Sequence, residues 1–246
     1  MKGIKMRIDK FLAHTGFGSR KDVKKLAWRG HVTVNGVPAR RPEHHIDPDR
    51  DEVRVDGELI VYTKYVYIMV NKPAGIISAV TDPDGEPTVS ELAAEETGVQ
   101  GLFPVGRLDK DATGLIILTN DGIFTHRATS PKKNVEKVYL VEARGELTEA
   151  DAAAFKARVT VEGGYLCREA KLEILTAGPV STALVTLTEG RYHQVKLMFQ
   201  AVGKSVLSLK RVSFAGIRLP DDLPEGQARP LNEEELGIIA PYLSED

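Results

Sequence analysis

The sequence predicts an α+β protein with a small basic head and a larger acidic body, and three observations predict it. Segments with strand patterning outnumber helical ones and do not alternate strictly with them, which favours a mostly antiparallel mixed sheet. Charge is unevenly spread: between Met1 and Arg41 eleven Lys and Arg face two acids, so this stretch carries +9 and the rest −11 within a net charge of −2. The 246 residues are 42% hydrophobic and 28% charged, as in an ordinary globular chain, and allow a small domain joined to a larger one.

The head reads as two helices followed by hairpins. Ile8, Phe11 and Leu12 share one helical face. Ser19 is an N-cap for a second helix that runs to about Trp28, and Gly30 is its stop. Residues 31–37 alternate around Asn35-Gly36 and residues 52–60 around Asp56-Gly57, the preferred two-residue hairpin turns. On the second helix Arg20, Lys21, Lys24, Lys25 and Arg29 form a basic stripe suited to the phosphates of folded RNA. Charge alone leaves open a solvated face with no partner. The expected division is a head at 1–61, a short polar join at 62–66 that lets the head swing, and a body at 67–246.

In the body, strands are expected at 67–71, 115–119, 137–143, 171–175, 182–188 and 205–214. Lys72-Pro73-Ala74-Gly75 reads as a turn after the first of them. Helices are expected at 90–95, 148–158 and 192–202, with a last one from about Asn232. Val195, Met198, Phe199 and Val202 fall at i, i+3, i+4 and i+7, a buried helical face that Gly203 ends.

Several function classes lack their signatures. No apolar run approaches the 18 or so residues of a membrane span, and residues 1–10 lack the apolar core of a signal peptide. The single cysteine, Cys167, allows no intrachain disulfide and no cysteine zinc cluster, so a reducing cytoplasm is the expected location. His44-His45 lack ligand spacing and read as loop residues. There is no Walker-type loop, no dinucleotide glycine fingerprint and no Gly-x-Ser-x-Gly elbow.

Two segments carry candidate chemistry. Gly106-Arg107-Leu108-Asp109-Lys110-Asp111-Ala112-Thr113-Gly114-Leu115 presents charge just before a core strand. Glu189-Gly190-Arg191-Tyr192-His193-Gln194-Val195-Lys196 opens an amphipathic helix, whose start favours an anion. Together they point to one carboxylate near Arg and Lys groups in a cleft for an anionic ligand. Turn-stabilising acids and surface cations are the competing reading.

The same residues resemble a known family. Gly106-Arg107-Leu108-Asp109, Thr113-Gly114-Leu115 and Thr119-Asn120-Asp121-Gly122 look like the catalytic signature of the RsuA/RluA-type pseudouridine synthases. Glu136-Lys137-Val138-Tyr139 is similar to their second motif, and the segment from Glu189 to Lys196 to their third, in the RsuA form. Residues 7–54 resemble the αL RNA-binding domain of ribosomal protein S-four.

The resemblance implies a catalytic set of Asp109, Tyr139 and Lys196. Asp109 acts at ribose carbon 1′ by covalent attack or by aiding glycal formation; a carboxylate suits both roles. Lys196 keeps it charged, and Tyr139 lies against the base. Arg107 holds a target nucleotide flipped out of the RNA, while Arg191, His193 and Gln194 serve RNA or loop contacts, with helix capping an equal reading for His193. Uridine and its product are isomers, so neither cofactor nor metal is called for. The RsuA form implies 16S ribosomal RNA or an assembly intermediate as partner, and a monomer is the default. Large-subunit RNA, or a non-catalytic RNA-binding protein of ribosome assembly, are the alternatives.

Overall fold

The computed structural model describes residues 5–243; residues 1–4 and 244–246, the outer ends of the expected head and body, lie outside it. In the head, helices Ile8–His14 and Arg20–Arg29 pack on a four-stranded antiparallel sheet. Ile8, Phe11, Leu12, Val23 and Ala27 meet Val32, Val53 and Val55 in one apolar cluster. Ser19 accepts a hydrogen bond from the Asp22 amide, and Gly30 closes the helix at φ 85°. Asn35 and Gly36 (φ 51° and 78°) join Val32–Val34 to Val37–Pro38. Asp56 and Gly57 (φ 50° and 87°) join Val53–Val55 to Glu58–Leu59. Both pairs have the positive φ values of a type I′ turn, whose twist matches that of the strands. His45, expected in a loop, lies instead in the short strand His45–Ile46, paired with Met6–Arg7. Two-residue strands leave no alternation to detect.

The join touches both bodies. Tyr62 packs on Phe11 with ring centroids 5.5 Å apart, and the Thr63 carbonyl lies 2.7 Å from His14 Nε2. Asn120 donates to the Lys64 carbonyl and accepts from the Val66 amide at 2.9 and 2.8 Å. The join thus meets both flanking bodies through its backbone and the Tyr62 ring.

The body centres on a mixed sheet in the order Lys171–Thr176, Val180–Leu187, Lys137–Arg144, Ser205–Phe214, Thr113–Thr119, Tyr67–Lys72, Ala228–Pro230. All neighbours along this order are antiparallel except one parallel contact, where Lys210 and Arg211 face Thr113 and Gly114. Alternate residues of the two inner strands feed different cores: Ile68, Val70, Ile116 and Leu118 face one, Tyr67, Met69, Leu115 and Ile117 the other. Helices Val89–Thr97, Glu149–Lys156 and Gln194–Ala201 cover the first face. Helices Gly122–Thr129 and Glu233–Ile239 cover the second. Both sides of these strands are therefore dry, which explains their nearly continuous apolar sequence.

Helix Gly122–Thr129 escaped sequence reading because it is short and opens on glycine. Asp121 caps it by accepting from the Ile123 and Phe124 amides. The helix expected from residue 192 begins at Gln194, because His193 sits in the left-handed region at φ 52°.

Candidate active site

The segment between Phe103–Pro104 and Thr113–Thr119 is held from beneath by the chain that follows strand Tyr67–Lys72. Lys72 is fully buried, and its Nζ donates to the carbonyls of Pro73, Lys110 and Ala112 at 3.0, 3.2 and 2.7 Å. The Gly75 amide donates to the Lys110 carbonyl, and Ser78 Oγ both donates to the Leu108 carbonyl and accepts from its amide. Burial pushes the Lys72 ammonium down to about 8, against the pull of Asp111 and Asp109. None of these clamps was singled out from sequence, since a lysine in a Pro/Gly turn reads as surface.

Gly114 sets the loop against the neighbouring strand. At φ 98°, a Cβ there would lie 2.3 Å from the Arg211 carbonyl oxygen and 2.8 Å from its nitrogen. The parallel contact between the sheet's two halves thus requires glycine. At this junction opens a cavity of about 1110 Å³, lined from one side by Arg107, Leu108, Asp109 and Asp111 and from the other by Tyr139, Arg191, His193, Lys196 and Arg211.

Lys196 projects from helix Gln194–Ala201 across this cavity. Its Nζ lies 3.1 Å from Asp109 Oδ2 and 2.7 and 2.9 Å from the two oxygens of Asp111. Burial disfavours its charge, but hydrogen bonds to Asp111 and Asp109 outweigh that and raise its pKa. The Lys196 hydrogen bond, against some desolvation, holds the Asp111 carboxyl below its usual range. Asp109 keeps 23% of its side chain exposed, enough for a ligand atom to reach it. His193 Nε2 stands 3.7 Å from the same Asp109 oxygen, and its ring stacks on exposed Tyr192 at 3.8 Å. It occupies the N-cap position but makes no side-chain cap hydrogen bond. Arg191 stacks over the Tyr165 ring at 3.5 Å, and Arg107 lies exposed at the cavity rim.

Of the two contacts expected of Gln194, RNA or loop, the structure shows the loop contact: it is buried, its amide donates to Glu189 Oε1 at 2.6 Å, and its carbonyl accepts from the Arg191 amide at 3.0 Å. Glu189 also accepts from the Tyr165 hydroxyl and the Arg168 amide. Burial opposes its ionisation, and these bonds overcome it, leaving its carboxyl below the ordinary value. Gln194 and Glu189 thereby brace the turn that aims Lys196.

Tyr139 and Arg211 form the floor as cross-strand partners. Tyr139 is 8% exposed and Arg211 1%. Arg211 Nε donates to the Leu115 carbonyl at 2.7 Å, whereas its Nη2 has no hydrogen-bond partner among the described residues. Beside them Lys137, which donates to the Val135 carbonyl, is pushed down to about 8 by burial and then by the Arg211 charge, against Glu189. Neither buried cation was picked out by sequence reasoning; unbroken strand patterning gave no sign of them.

Arg20, Lys21, Lys24, Lys25 and Arg29 are not among the residues lining the cavity; all lie on the solvent side of helix Arg20–Arg29, Lys24 partly covered. Among the described residues no group of three or more His, Cys, Asp or Glu is placed to hold a metal ion, and no helix is long and apolar enough to cross a membrane.

Known proteins resemble this chain along most of its length. Residues 66–201 match the family model for RNA pseudouridylate synthase, and residues 6–53 that for the S4 domain. An uncharacterised RNA pseudouridine synthase of Bacillus subtilis is 44% identical over 235 residues, covering 95% of this chain and 98% of that one. The ribosomal small subunit pseudouridine synthase A of Escherichia coli strain K12 is 39% identical over 236 residues, 95% of this chain and 100% of its own. A crystal structure of a pseudouridylate synthase, 34% identical, superposes with a TM-score of 0.64 over 95% of this chain and 99% of that one.

Proposed function

The chain belongs to the RNA pseudouridylate synthase family, and from that premise we propose that it isomerises a uridine of small-subunit ribosomal RNA with Asp109 as the reacting carboxylate. The observation that carries this reading is the Asp109 carboxylate, partly exposed on the wall of a cavity roomy enough for a nucleotide, with Lys196 Nζ at 3.1 Å. The name of the Escherichia coli relative supports the small-subunit target. The head, residues 1–61, grips the RNA, the 62–66 join ties it to the body, and the body, 67–246, performs the reaction.

A base inside a stack hides carbon 1′, so the target nucleotide must leave the helix, with Arg107 at the rim to hold it. Cleavage of the N1–C1′ bond leaves its electron pair on N1. Carbon 1′ then bonds to an Asp109 oxygen, or carbon 2′ gives its proton to Asp109 and a glycal forms. The uracil turns over Tyr139, and carbon 5 bonds to carbon 1′ as the Asp109 oxygen leaves it or as carbon 2′ takes its proton back; the carbon 5 proton then departs and N1 gains one. Atoms and electrons balance with no oxidant or reductant. Lys196 aims Asp109 through the 3.1 Å contact to Oδ2, and the detached base, which carries the departing pair, lies over the cations Arg211 and Lys137.

The test is nucleotide-resolution pseudouridine mapping of ribosomal RNA from cells with and without this protein, together with Asp109→Asn. One small-subunit pseudouridine should vanish on deletion and stay absent with Asp109→Asn, while that variant binds RNA like the wild type. A missing large-subunit site would redirect the target; a product made by Asp109→Asn would remove the mechanism.

A further inference from the structure

Trp28 is the chain's single tryptophan, and it is 61% exposed. Its helix, Arg20–Arg29, buries Val23 and Ala27 against the head's core. At about 100° per residue, the indole falls between Lys24 and Lys21 on the helix circumference, with Arg20 and Lys25 outside them. Asp22, which the Ser19 cap and Lys25 engage, points elsewhere. Among the described residues no other ring or cation packs on the indole. A flat apolar surface set among cations is the pairing that binds single-stranded nucleic acid: the charges track phosphates and the ring stacks on a base.

We propose that Trp28 is a stacking platform for an unpaired base of the RNA whose phosphates Lys21, Lys24 and Lys25 neutralise. The head then recognises a loop or single strand, because a base within a duplex has no open face to offer. This rests on the reading that the protein acts on RNA, and it adds a base contact in the head, at a residue that is not among those lining the catalytic cavity.

Because the chain has one tryptophan, its fluorescence reports this contact alone. Full-length protein is titrated with an unstructured RNA of about 12 nucleotides, a duplex of equal length and a small-subunit rRNA transcript. Occupancy is measured independently by filter retention, and pseudouridine is counted in the transcript. The single strand should quench Trp28 in step with occupancy and the duplex should not. Trp28→Ala should weaken single-strand binding on the order of 10-fold with an unchanged salt slope, and Trp28→Phe should restore most of it. Lys21→Ala should instead lower the salt slope by about one. Unmoved fluorescence at full occupancy, equal quenching by duplex, or wild-type binding by Trp28→Ala would overturn the proposal. Pseudouridine formed while fluorescence stays unmoved sinks this inference alone; normal quenching without pseudouridine sinks the enzymatic reading and leaves this one standing.

Discussion

Lys196 and Asp109, carried by a helix start and a loop distant in sequence, meet with Nζ 3.1 Å from Oδ2. The same ammonium is more tightly engaged by Asp111 at 2.7 Å. One cation therefore bridges two carboxylates, and removing it takes away the counter-ion they share. Lys196→Met should lower the single-turnover rate on an rRNA fragment by roughly 100-fold or more while changing RNA affinity little. Lys196→Arg should recover part of the rate. A Lys196→Met rate near wild type would show that the pair is ornamental.

Asp111→Asn tests the other half of this clamp. The acid is exposed, and Lys196 keeps its contact to Asp109 without it. The expected loss is about 10-fold or less in rate, far smaller than for Asp109→Asn. Equal losses in the two variants, measured in the same single-turnover assay, would move the reacting carboxylate into question.

Gln194→Ala separates a brace from an RNA contact. Its side chain holds Glu189 and the Arg191 amide inside the protein, so truncation takes one of three hydrogen bonds from a buried carboxylate and the acceptor from a backbone amide. Stability should fall by about 2 kcal/mol in urea denaturation, and RNA affinity should hardly change. The reverse pattern would restore the residue to the interface.

Much of this was legible in the sequence, and the reasons differ by residue. Asn35-Gly36 and Asp56-Gly57 announced their turns because positive φ at both positions demands such residues. Ser19 and Gly30 announced helix ends through unpaired backbone groups. Asp109, Lys196 and Tyr139 were legible through resemblance to a family, and the fold gathers all three around one cavity. Lys72, Lys137 and Arg211 were not, because a charged residue buried by distant chain looks in sequence like any surface charge. Gln194 leaves two readings open in sequence, because a polar residue inside a functional motif suits a ligand or the loop beside it; in the fold its partners are Glu189 and the Arg191 amide.

Gly114→Ala addresses the junction between the halves of the sheet. The new methyl would meet the Arg211 backbone at 2.3 Å, in a φ region unfavourable to alanine. Backbone atoms of a paired strand cannot swing aside as a flexible side chain can. The variant should lose roughly 2–4 kcal/mol of stability, and isomerisation should fall even where the protein remains folded, since Asp109 and Arg211 move apart. Wild-type stability would show that the strands can separate without cost.

Lys137 makes the stability of the protein depend on alkaline pH in a direction opposite to that of a salt-bridged lysine. Its folded pKa is lowered to about 8 from an ordinary 10.5, chiefly by burial. Below about pH 8 the group is charged in both folded and unfolded chains, so its contribution is constant. Between about 8 and 10.5 the unfolded chain still holds the proton and the folded one has released it, so stability rises with pH through this window. Lys137→Met has no proton to release. Wild type measured against Lys137→Met should therefore gain on the order of 2 kcal/mol between pH 7.5 and pH 10 in urea denaturation. A difference that stays flat, or shrinks, across that range would mean that the Lys137 ammonium remains protonated beneath the active site.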